Sequence, residues 1–344
     1  MNEKMVVFVV NSTTGGGAEV SAMTVYRHLT SLGYNIRIIA INENQFSHNE
    51  KSDSVIQLGR KWKSGLRDTL LAFISFRKVV EELKPDIVVA HCELPELFCA
   101  FMPNFRSKLF AVEHTSRPWD GRKILGWVIR GVLRCRKTVW ITVDKSKNKI
   151  WLGGRNPIYI PNPASKNEIL EPRRILERIA VIGRIRAEKR PEWAIDAAIE
   201  NSIAIAVIGD GDDKSLLMDK YANRNDLVTF YGFIENPWSR LSPDTLIVMP
   251  SKFEGDGLVV VEAIINGFPI ILADNQDLRR FGLPSQNYFA SERELVDKFR
   301  QIKELGTNRF EIPKSTVLKI QNERDIRTIS TKWVQALSLD VLNV

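Results

Sequence analysis

Short apolar runs alternate with longer amphipathic segments along most of the chain. The first two runs, Met5–Val10 and Ile36–Ile41, are rich in Val and Ile, which is typical of parallel strands buried on both faces. The segment between them, Ala18–Leu32, has apolar residues at helical spacing and ends before Gly33. A strand, a glycine-rich loop, a helix and a second strand in this order predict a parallel sheet covered by helices.

The same alternation starts again in the second half of the chain. Pro157 and Pro161–Pro163 lead into a polar, charged stretch typical of a hinge, and Ile179–Ile182 then begins a new series of strands. A length of 344 residues suits about two domains. We therefore expect an α/β protein with two Rossmann-like, doubly wound parallel sheets. The expected division is an N-terminal domain over 1–165, a linker over 166–178, a C-terminal domain over 179–315, and a helical segment over 316–344 that can cross back to the N-terminal domain.

Composition excludes several classes of protein. Hydrophobic residues make up 44% of the chain and charged residues 26%, which is ordinary for a globular protein with a packed core. No apolar run reaches the roughly 18 residues that a transmembrane helix needs. The first run follows the acidic Glu3 and lacks a small-residue cleavage pattern, so we interpret it as a strand and not a signal peptide. Cys92, Cys99 and Cys135 fit neither a zinc site nor a disulfide framework, and a cytoplasmic location is expected.

The stretch from Ser251 to Pro269 carries the strongest signal of a binding site. Gly255 and Gly257 allow the backbone to approach a ligand closely, and the apolar segment that follows is predicted to be a helix that ends at Gly267. The start of a helix presents free backbone N–H groups and the positive end of the helix dipole, which favour an anion. Glu254 and Glu262 bracket this helix start, where their carboxylates can accept hydrogen bonds from sugar hydroxyls on either side of a diphosphate.

Other candidate residues also follow predicted strands. These are Gly15–Gly17, His91, His114, Gly183-Arg184 and Gly209–Gly211. Ligands of doubly wound sheets bind at the carboxyl ends of the strands, so these residues are candidates for the same kind of site.

The motifs of the second half resemble those of the retaining GT-B glycosyltransferases of family 4, also called glycosyl transferases group 1. In order, they are Gly183-Arg184, Glu188–Pro191, Val207–Gly211, Phe230–Phe233, Glu254–Leu258, Glu262-Ala263 and Gly267–Pro269. The resemblance covers about residues 179–273. Gly16–Glu19 and Ile160–Pro163 are compatible with it but less specific. The two glutamates with the glycines between them are its most specific part.

The resemblance implies two Rossmann-like domains that face a central cleft, and a site for a UDP- or GDP-linked sugar. Arg184 and Lys189 would bind the diphosphate and neutralise the charge that grows on the leaving nucleotide. Glu262 would hold the ribose, and Glu254 would contact the transferred sugar. The residues expected to bind the donor are Gly16, Gly17, Gly183, Arg184, Lys189, Gly209, Asp210, Glu254, Gly255, Asp256, Gly257, Leu258, Val259 and Glu262.

In the N-terminal half, the resemblance places His114 near the reacting sugar carbon. The expected catalytic residues are Glu254, His114, Arg184 and Lys189, and Glu19, His91 and His114 are expected to face the acceptor. For Glu19 and His91 an ordinary structural role is the alternative, and for His91 it is favoured.

The reaction implied is front-face hexosyl transfer, in which the leaving phosphate helps to deprotonate the acceptor hydroxyl. Neither a metal nor a cofactor is expected, because Asp210-Gly-Asp212 is better explained as a turn than as a metal motif. Two departures from the family affect the sugar pocket: Asp256 replaces an apolar or aromatic residue, and Asp274–Asp277 replaces a glycine-rich turn.

Positive charge is concentrated in the N-terminal half. The chain carries a net +8, of which residues 1–166 hold +11 and the remainder −3. Within the segment Gly121–Val139, which contains the predicted helix Gly121–Leu133, cations are interleaved with Trp127, Val128, Ile129, Val132 and Leu133. The helix either packs these apolar residues on the first sheet, which is favoured, or lies against anionic lipid; the two can hold together. A lipid-linked acceptor at the inner face of the cytoplasmic membrane would fit, as in O-antigen, capsule or lipopolysaccharide biosynthesis.

Three other functions fit the sequence less well than glycosyl transfer does. A dinucleotide-dependent oxidoreductase is disfavoured because neither half has a G-x-G-x-x-G fingerprint between a strand and a helix. A nucleic-acid-binding protein is disfavoured because the aromatic residues form no stacking platform. An inactive scaffold with this fold is disfavoured because Arg184, Lys189, Glu254 and Glu262 are all present.

Overall fold

The computed structural model describes residues 4–44, 54–62, 64–103, 106–147, 149–151, 154–164, 166, 175 and 177–339. The chain divides into two compact units. The first comprises residues 1–163 together with 324–344, and the second comprises residues 164–323.

The first unit contains a seven-stranded sheet in which all neighbouring strands are parallel. Its strand order is β3-β2-β1-β4-β5-β6-β9. The strands are β1 (Val6–Val10), β2 (Ile36–Asn42), β3 (Val55–Arg60), β4 (Ile87–His91), β5 (Lys108–Glu113), β6 (Val139–Thr142) and β9 (Ile158–Tyr159). Between β6 and β9, β7 (Lys149–Ile150) and β8 (Gly154–Arg155) form an antiparallel pair.

Helices cover both faces of this sheet because successive strand residues point to opposite faces. The helices are α1 (Gly17–Ser31), α2 (Leu66–Leu83), α3 (Glu93–Phe101), α4 (Lys123–Cys135) and α11 (Ile326–Leu337). On one face, Phe8 of β1 belongs to a core with residues of α1 and α11. On the other face, Val7 and Val9 belong to a core with residues of α2, α3 and α4.

The C-terminal helix α11 belongs to the first unit although it follows the whole of the second. Asp325 caps its start by accepting hydrogen bonds from the backbone N–H groups of Arg327 and Thr328. Trp333 of α11 packs against Phe8, with ring centroids 5.4 Å apart. Just before the helix, the Arg324 guanidinium donates to the backbone carbonyl of Asn162 at 3.1 Å.

The second unit contains a six-stranded parallel sheet in the order β12-β11-β10-β13-β14-β15. Its strands are β10 (Ile179–Ile182), β11 (Ile205–Ile208), β12 (Val228–Gly232), β13 (Leu246–Met249), β14 (Ile270–Ala273) and β15 (Tyr288–Phe289). Its helices are α5 (Pro191–Glu200), α6 (Lys214–Lys220), α7 (Leu258–Ile265), α8 (Gln276–Arg279), α9 (Glu292–Leu305) and α10 (Lys314–Arg324). The four central strands are buried along their whole length, which explains their continuous apolar sequences.

Two parallel sheets with helices confirm the α/β class predicted from the sequence. The sequence of residues 145–152 favours a helix, but in the structure residues 145–147 form a turn and Lys149–Ile150 is the strand β7. The reason is local. The Asp144 carboxylate accepts hydrogen bonds from the backbone N–H and the hydroxyl of Ser146, and this Asx turn competes with a helical start.

Candidate active site

In the second sheet, the strand order reverses at β10 and β13, which lie side by side although 63 residues separate the end of β10 from the start of β13 in sequence. Such a switch point opens a crevice at the carboxyl ends of the strands, because the chain leaves the two strands in opposite directions. The loop after β10 carries Gly183-Arg184 and Lys189, and the loop after β13 carries Glu254–Gly257. The fold therefore brings together the two loops that the sequence analysis singled out for the donor.

Lys189 and Glu254 form an ion pair at this switch point. The Lys189 Nζ lies 2.6 Å from the Glu254 Oε1. Lys189 ends a 3-10 helix, Ala187–Lys189, and its side chain is partly exposed, whereas Glu254 is only 7% exposed. A mostly buried carboxylate needs a charged partner or several donors, and Lys189 provides one.

The Glu254 loop is held by residues that follow β14. The backbone N–H of Glu254 donates to the Asp277 Oδ2 at 2.9 Å, and the Asn275 side-chain amide donates to the Ser251 carbonyl at 2.9 Å. The Arg280 guanidinium donates to the Gly255 carbonyl at 2.6 Å. The polar segment after Ala273 thus fixes the backbone on both sides of Glu254.

Gly257 turns the chain from this loop into α7. Its φ of +67° lies in the left-handed region that favours glycine, and a Cβ there would lie 3.1 Å from the ring of Phe281. Leu258 and Val259 occupy the first turn of α7, where backbone N–H groups have no partner within the helix. These N–H groups and the helix dipole suit a phosphate beside Lys189.

Glu262 lies one turn further along α7. The indole N–H of Trp238 donates to the Glu262 Oε2 at 3.0 Å, and Trp238 in turn packs against Phe268. Burial raises the pKa of Glu262 to about 7, although the Trp238 N–H opposes this shift. Trp238 was not predicted from the sequence to be a partner of Glu262.

The glycine-rich turn after β11 packs directly against the loop after β10. A Cβ on Gly209 would lie 1.9 Å from the Gly183 carbonyl oxygen, and one on Gly211 would lie 2.2 Å from the Ile185 carbonyl oxygen. Asp210 accepts hydrogen bonds from the backbone N–H of Gly211 and from Lys214 at 2.9 Å. These two donors hold the pKa of Asp210 below its usual value despite partial burial, which itself raises the pKa.

The other two aspartates of this turn also have protein partners. Asp213 accepts from the backbone N–H of Ala187 at 2.8 Å, and Asp212 pairs with Arg186 at 2.8 Å. Arg184 itself is exposed at the end of β10.

In the first sheet, the strand order reverses at β1 and β4. The Gly15–Gly17 loop follows β1, His91 is the last residue of β4, and His114 follows β5, the next strand of the sheet. Glu19 is buried in the first turns of α1, where it accepts a hydrogen bond from the Asn11 side-chain amide at 3.1 Å. This contact fits the structural alternative for Glu19.

His91 and His114 contact each other. The His91 Nδ1 lies 3.1 Å from the His114 Nε2, and the two rings stack with centroids 5.4 Å apart. His91 is 2% exposed, whereas His114 is partly exposed. Burial lowers the pKa of His91 well below its ordinary value, and the neighbouring His114 lowers it further.

A buried charge network lies directly beside His114. The Arg130 guanidinium donates to both carboxylate oxygens of Glu96, at 2.9 and 3.1 Å, and to Glu113 at 2.7 Å. Lys147 donates to Glu113 at 2.5 Å and to the Thr115 carbonyl at 2.9 Å, so that it bridges the residues on either side of His114. This network was not predicted, because in the sequence Arg130 resembles the other cations of an amphipathic helix.

The surface of α4 also differs from the favoured interpretation. Ile129 and Leu133 are buried as expected, but Trp127 is 63% exposed and Val128 is exposed as well. Ile124 at the start of the helix is 85% exposed. The prediction that Trp127 and Val128 pack on the sheet is therefore wrong. The inward face of the helix is occupied by Gly126, Ile129 and Arg130.

Two general features bear on function. In the part of the chain that the structure describes, none of the helices is both long and apolar enough to cross a bilayer. Among the same residues, no three His, Cys, Asp or Glu side chains come together in a way that would hold a metal ion.

Comparison with known families matches both halves of the chain. The family model described as Glycosyl transferases group 1 matches residues 167–305, and the model described as Glycosyltransferase Family 4 matches residues 15–145. Between them, the two models span most of the chain.

Individual proteins that are similar to this chain are also glycosyltransferases. An uncharacterized glycosyltransferase of Haemophilus influenzae is 23% identical over 295 residues, which cover 78% of this chain and 80% of that protein. The lipopolysaccharide 1,6-galactosyltransferase of Escherichia coli K12 is 23% identical over 253 residues, covering 67% and 69%. The solved structure of Anabaena Alr3699/HepE in complex with UDP and glucose is similar with a TM-score of 0.78 and 16% identity, over 97% of this chain and 99% of that one. This structural likeness shows the fold, which is the GT-B class.

Proposed function

Because the chain belongs to the glycosyltransferases that these two family models describe, we propose that it moves a hexosyl unit from a nucleoside diphosphate to a glycan or lipid-linked acceptor with retention of configuration. The observation that carries this proposal is the Lys189–Glu254 pair beside the start of α7. A cation, a helix N-terminus and a buried carboxylate at one switch point suit a diphosphate with a sugar attached.

In this proposal, each group of the second unit has one task. Lys189 and Arg184 bind the diphosphate and stabilise the negative charge that grows as the glycosidic bond breaks. The N–H groups of Leu258 and Val259 bind the same phosphates. Glu254 accepts hydrogen bonds from hydroxyls of the transferred sugar, and Glu262 accepts them from the ribose. Glycines 183, 209, 255 and 257, and residue Asp210, shape the backbone around the donor.

Retention of configuration is proposed to follow from front-face transfer. A double displacement would need a carboxylate free to attack the sugar carbon. Glu254, the carboxylate proposed to contact the sugar, is paired with Lys189 at 2.6 Å, which favours a binding role over a nucleophilic one. The leaving phosphate then takes the proton of the acceptor hydroxyl, and the protein supplies position and charge stabilisation. His114 is proposed to contact the reacting sugar.

We also propose that the reaction needs no metal ion and no cofactor besides the nucleotide sugar. Asp210 is bound by Lys214 and by the Gly211 N–H, and Asp212 by Arg186, so these carboxylates are used by the protein itself. Lys189 and Arg184 supply the positive charge that a metal provides in other enzymes. Full transfer in EDTA is expected, and a loss that Mn²⁺ or Mg²⁺ restores would contradict this.

The acceptor is proposed to be a lipid-linked oligosaccharide of bacterial surface polysaccharide assembly, at the inner face of the cytoplasmic membrane. The net charge of +11 over residues 1–166 supports contact with anionic lipid, and so do the exposed apolar side chains of α4. One relative, the Escherichia coli enzyme, is named for a lipopolysaccharide product. Of the three residues of the first unit expected to face the acceptor, His114 is partly exposed and is the proposed contact, whereas Glu19 and His91 are buried and are better explained by structural roles.

A nucleotide-sugar panel with lipid-linked acceptors, analysed by mass spectrometry, tests the proposed function. The expected result is a product one hexosyl unit heavier with one UDP- or GDP-linked donor, and thermal stabilisation by the corresponding nucleoside diphosphate. Glu254→Ala is expected to abolish transfer without unfolding the protein. Stabilisation by NAD or by an oligonucleotide instead, or normal turnover by Glu254→Ala, would contradict the proposal.

Donor choice is proposed to depend on Asp256. This residue is buried beside Glu254, where the family more often has an apolar or aromatic side chain. Asp256→Phe is expected to change which sugar is preferred while the preferred nucleotide stays the same, and an unchanged sugar preference would contradict this role.

A further inference from the structure

Two helices that cover the same face of the first sheet, α2 and α4, leave large apolar side chains exposed. On α2 these are Leu66, Leu70, Leu71 and Ile74, and on α4 they are Ile124, Leu125, Trp127 and Val128. The helices of the opposite face, α1 and α11, differ: among their described residues, Val20 is the only large apolar side chain that is exposed. Exposed apolar residues that are concentrated on one face, and not scattered singly, mark an interaction surface.

The exposed apolar residues lie in the first half of each helix. In α2 all four belong to the first nine residues, whereas the second half carries exposed ion pairs such as Arg77–Glu81. In α4 all four belong to the first six residues. Both helices follow strands of a parallel sheet, so both start at the carboxyl edge of that sheet. The exposed apolar residues therefore lie toward the edge that also carries His114.

The starts of the two helices are close to each other. Arg60, at the end of β3, donates to the Thr69 hydroxyl at 3.0 Å and to the Ser64 carbonyl at 3.4 Å, so its guanidinium lies against the first turn of α2. Burial lowers the pKa of Arg60, Asp68 opposes this shift, and the positive charge of Arg122, the residue before α4, lowers the pKa further. A charge shifts the pKa of another group only where the two are close. The two helix starts therefore form one surface, the α2–α4 surface.

Positive charge borders the α2–α4 surface. Residues 60–68, which lead into α2, contain four cations and one acidic residue, and residues 117–123, which lead into α4, contain three cations and one acidic residue. This charge disfavours a second copy of the chain as the occupant, because a symmetric dimer places the same patch on both subunits and the cations would face each other. Apolar side chains bordered by cations match an anionic lipid surface, which accepts the apolar groups among its acyl chains and the cations among its headgroups.

We propose that the starts of α2 and α4 together dock the protein on an anionic bilayer, with the carboxyl edge of the first sheet toward the lipid. This inference deepens the proposed function and rests on it, because the acceptor proposed there is held in the membrane. The orientation places the edge that carries His114 beside the sugar of such an acceptor. The inference adds α2 as a second anchor, and it adds the direction in which the first unit faces the bilayer.

Flotation with phosphatidylglycerol vesicles, without nucleotide sugar or acceptor, tests α2 as an anchor. Leu66→Ser and Leu70→Ser are each expected to weaken partition about tenfold, the effect of withdrawing one large apolar side chain from lipid. Leu216→Ser is the matched control and is expected to leave partition unchanged. Leu216, on α6 of the second unit, is 73% exposed, and Leu66 is 86% exposed. Equal partition of Leu66→Ser and Leu216→Ser would overturn the role of α2.

Fluorescent labels on cysteine test the orientation. Leu66→Cys and Ile124→Cys, each combined with Cys135→Ser, place an environment-sensitive label at the two helix starts. Cys135 is exposed at the end of α4, about 16 Å along the helix from Ile124, so a label on it reports from the opposite edge. Cys135→Ser alone gives the signal of the remaining cysteines, which is subtracted.

When vesicles are added, the emission of the labels at positions 66 and 124 is expected to shift to the blue, and that of the label on Cys135 is expected to stay unchanged. Equal shifts at all three positions, or no shift at position 66, would overturn the proposed orientation.

The same measurements separate this inference from the proposed function and from dimerisation. If no nucleotide sugar is used but vesicle binding and the label shifts are as expected, the docking surface stands and the proposed transfer reaction is wrong. If transfer occurs but the protein does not float with vesicles, the docking surface is wrong and the transfer reaction stands. If sedimentation equilibrium shows a dimer that Leu66→Ser abolishes, the α2–α4 surface belongs to a second copy of the chain and the lipid proposal is overturned.

Discussion

The Lys189 Nζ lies 2.6 Å from the Glu254 Oε1, although 65 positions separate the two residues in sequence. In the proposed function, Lys189 binds the diphosphate and Glu254 binds the transferred sugar. Because the two side chains are in direct contact, the proposed phosphate-binding and sugar-binding groups are adjacent. A phosphate that binds Lys189 must therefore share it with Glu254, and the buried carboxylate then depends on the sugar hydroxyls for hydrogen bonds.

Removing the charge of Lys189 is expected to reduce transfer strongly. Lys189→Met should lower kcat/KM about 100-fold or more, the size of loss that follows removal of one group that stabilises transition-state charge. Lys220→Met is the matched control, because Lys220 also pairs with a carboxylate of the second unit, Asp196 at 3.3 Å, but on an exposed surface. Steady-state kinetics of both variants check this. A loss of similar size in both variants would show that the effect of Lys189→Met is not local to the site.

Donor affinity is expected to rise with pH between about 6 and 8. The pKa of Glu262 is raised to about 7, so the carboxyl is mostly protonated at pH 6 and mostly ionised at pH 8. Ribose hydroxyls donate to the ionised form of the Glu262 carboxyl. Donor binding at pH 6 should be about tenfold weaker than at pH 8, because pH 6 is about one unit below the pKa. Titration calorimetry with a nucleotide sugar, in buffers of different ionisation enthalpy, should show proton release on binding at pH 7.

Glu262→Gln is the control for that pH dependence. The amide cannot titrate, so donor affinity should be flat over the same range. The pH dependence of folding stability gives a second check on the raised pKa of Glu262. A carboxyl whose pKa is raised on folding binds more protons folded than unfolded, so the free energy of unfolding falls as pH rises from about 4.5 to about 7. If donor affinity and the free energy of unfolding of Glu262→Gln depend on pH as they do in the unsubstituted protein, then another group titrates.

The sequence could predict the fold and the positions of the strand-end loops, because apolar strands and parallel connections determine which loops share an edge. It could not predict which side chains meet there. Arg130 illustrates the limit: its helical position looks like those of neighbouring surface cations, and its burial is explained by Glu96 and Glu113, which are 34 and 17 residues away in sequence. Asn275 offered a better signal. Asn is preferred at helix N-caps, and the Asn275 side chain caps α8 by accepting a hydrogen bond from the backbone N–H of Leu278. The same side chain holds the Glu254 loop by donating to the Ser251 carbonyl.

Replacing Gly209 with alanine is expected to destabilise the second unit by roughly 3 kcal/mol or more, because a new Cβ would collide with backbone and the φ is unfavourable for other residues. The Cβ would lie 1.9 Å from the Gly183 carbonyl oxygen, at a φ of +144°. Gly131→Ala is the control. Gly131 lies within α4 with no atom within 4 Å of its Cβ position, and alanine there should stabilise the helix by up to about 1 kcal/mol. Calorimetric unfolding of both variants would contradict this account if Gly209→Ala melted like the unsubstituted protein.

Removing the guanidinium of Arg130 is expected to destabilise the first unit by about 3–5 kcal/mol, because Glu96 would be left buried without its charged partner. Burial raises the pKa of Glu96, and Arg130 opposes that shift. Arg130→Met keeps most of the side-chain volume, and Arg134→Met, one turn later on the exposed side of α4, should change stability little. Denaturant unfolding compares the two. The double variant Arg130→Met with Glu96→Gln should recover part of the loss, and a loss in Arg134→Met as large as that in Arg130→Met would contradict the assignment.

Binding to anionic vesicles is expected to depend on the exposed side chains of α4. Ile124 and Trp127 are 85% and 63% exposed on a helix that begins at Lys123. Inserting these side chains among lipid headgroups contributes about 2 kcal/mol each, so Ile124→Ser or Trp127→Ser should weaken partition by on the order of tenfold or more. Flotation with phosphatidylglycerol vesicles at low salt measures this. Leu318→Ser is the control, because Leu318 on α10 of the second unit is 59% exposed, close to the value for Trp127. Because the proposed attraction also uses positive charge, binding should decrease at high salt and with neutral phosphatidylcholine vesicles. Equal binding to both kinds of vesicle, or equal losses from Trp127→Ser and Leu318→Ser, would contradict α4 as the lipid-binding surface.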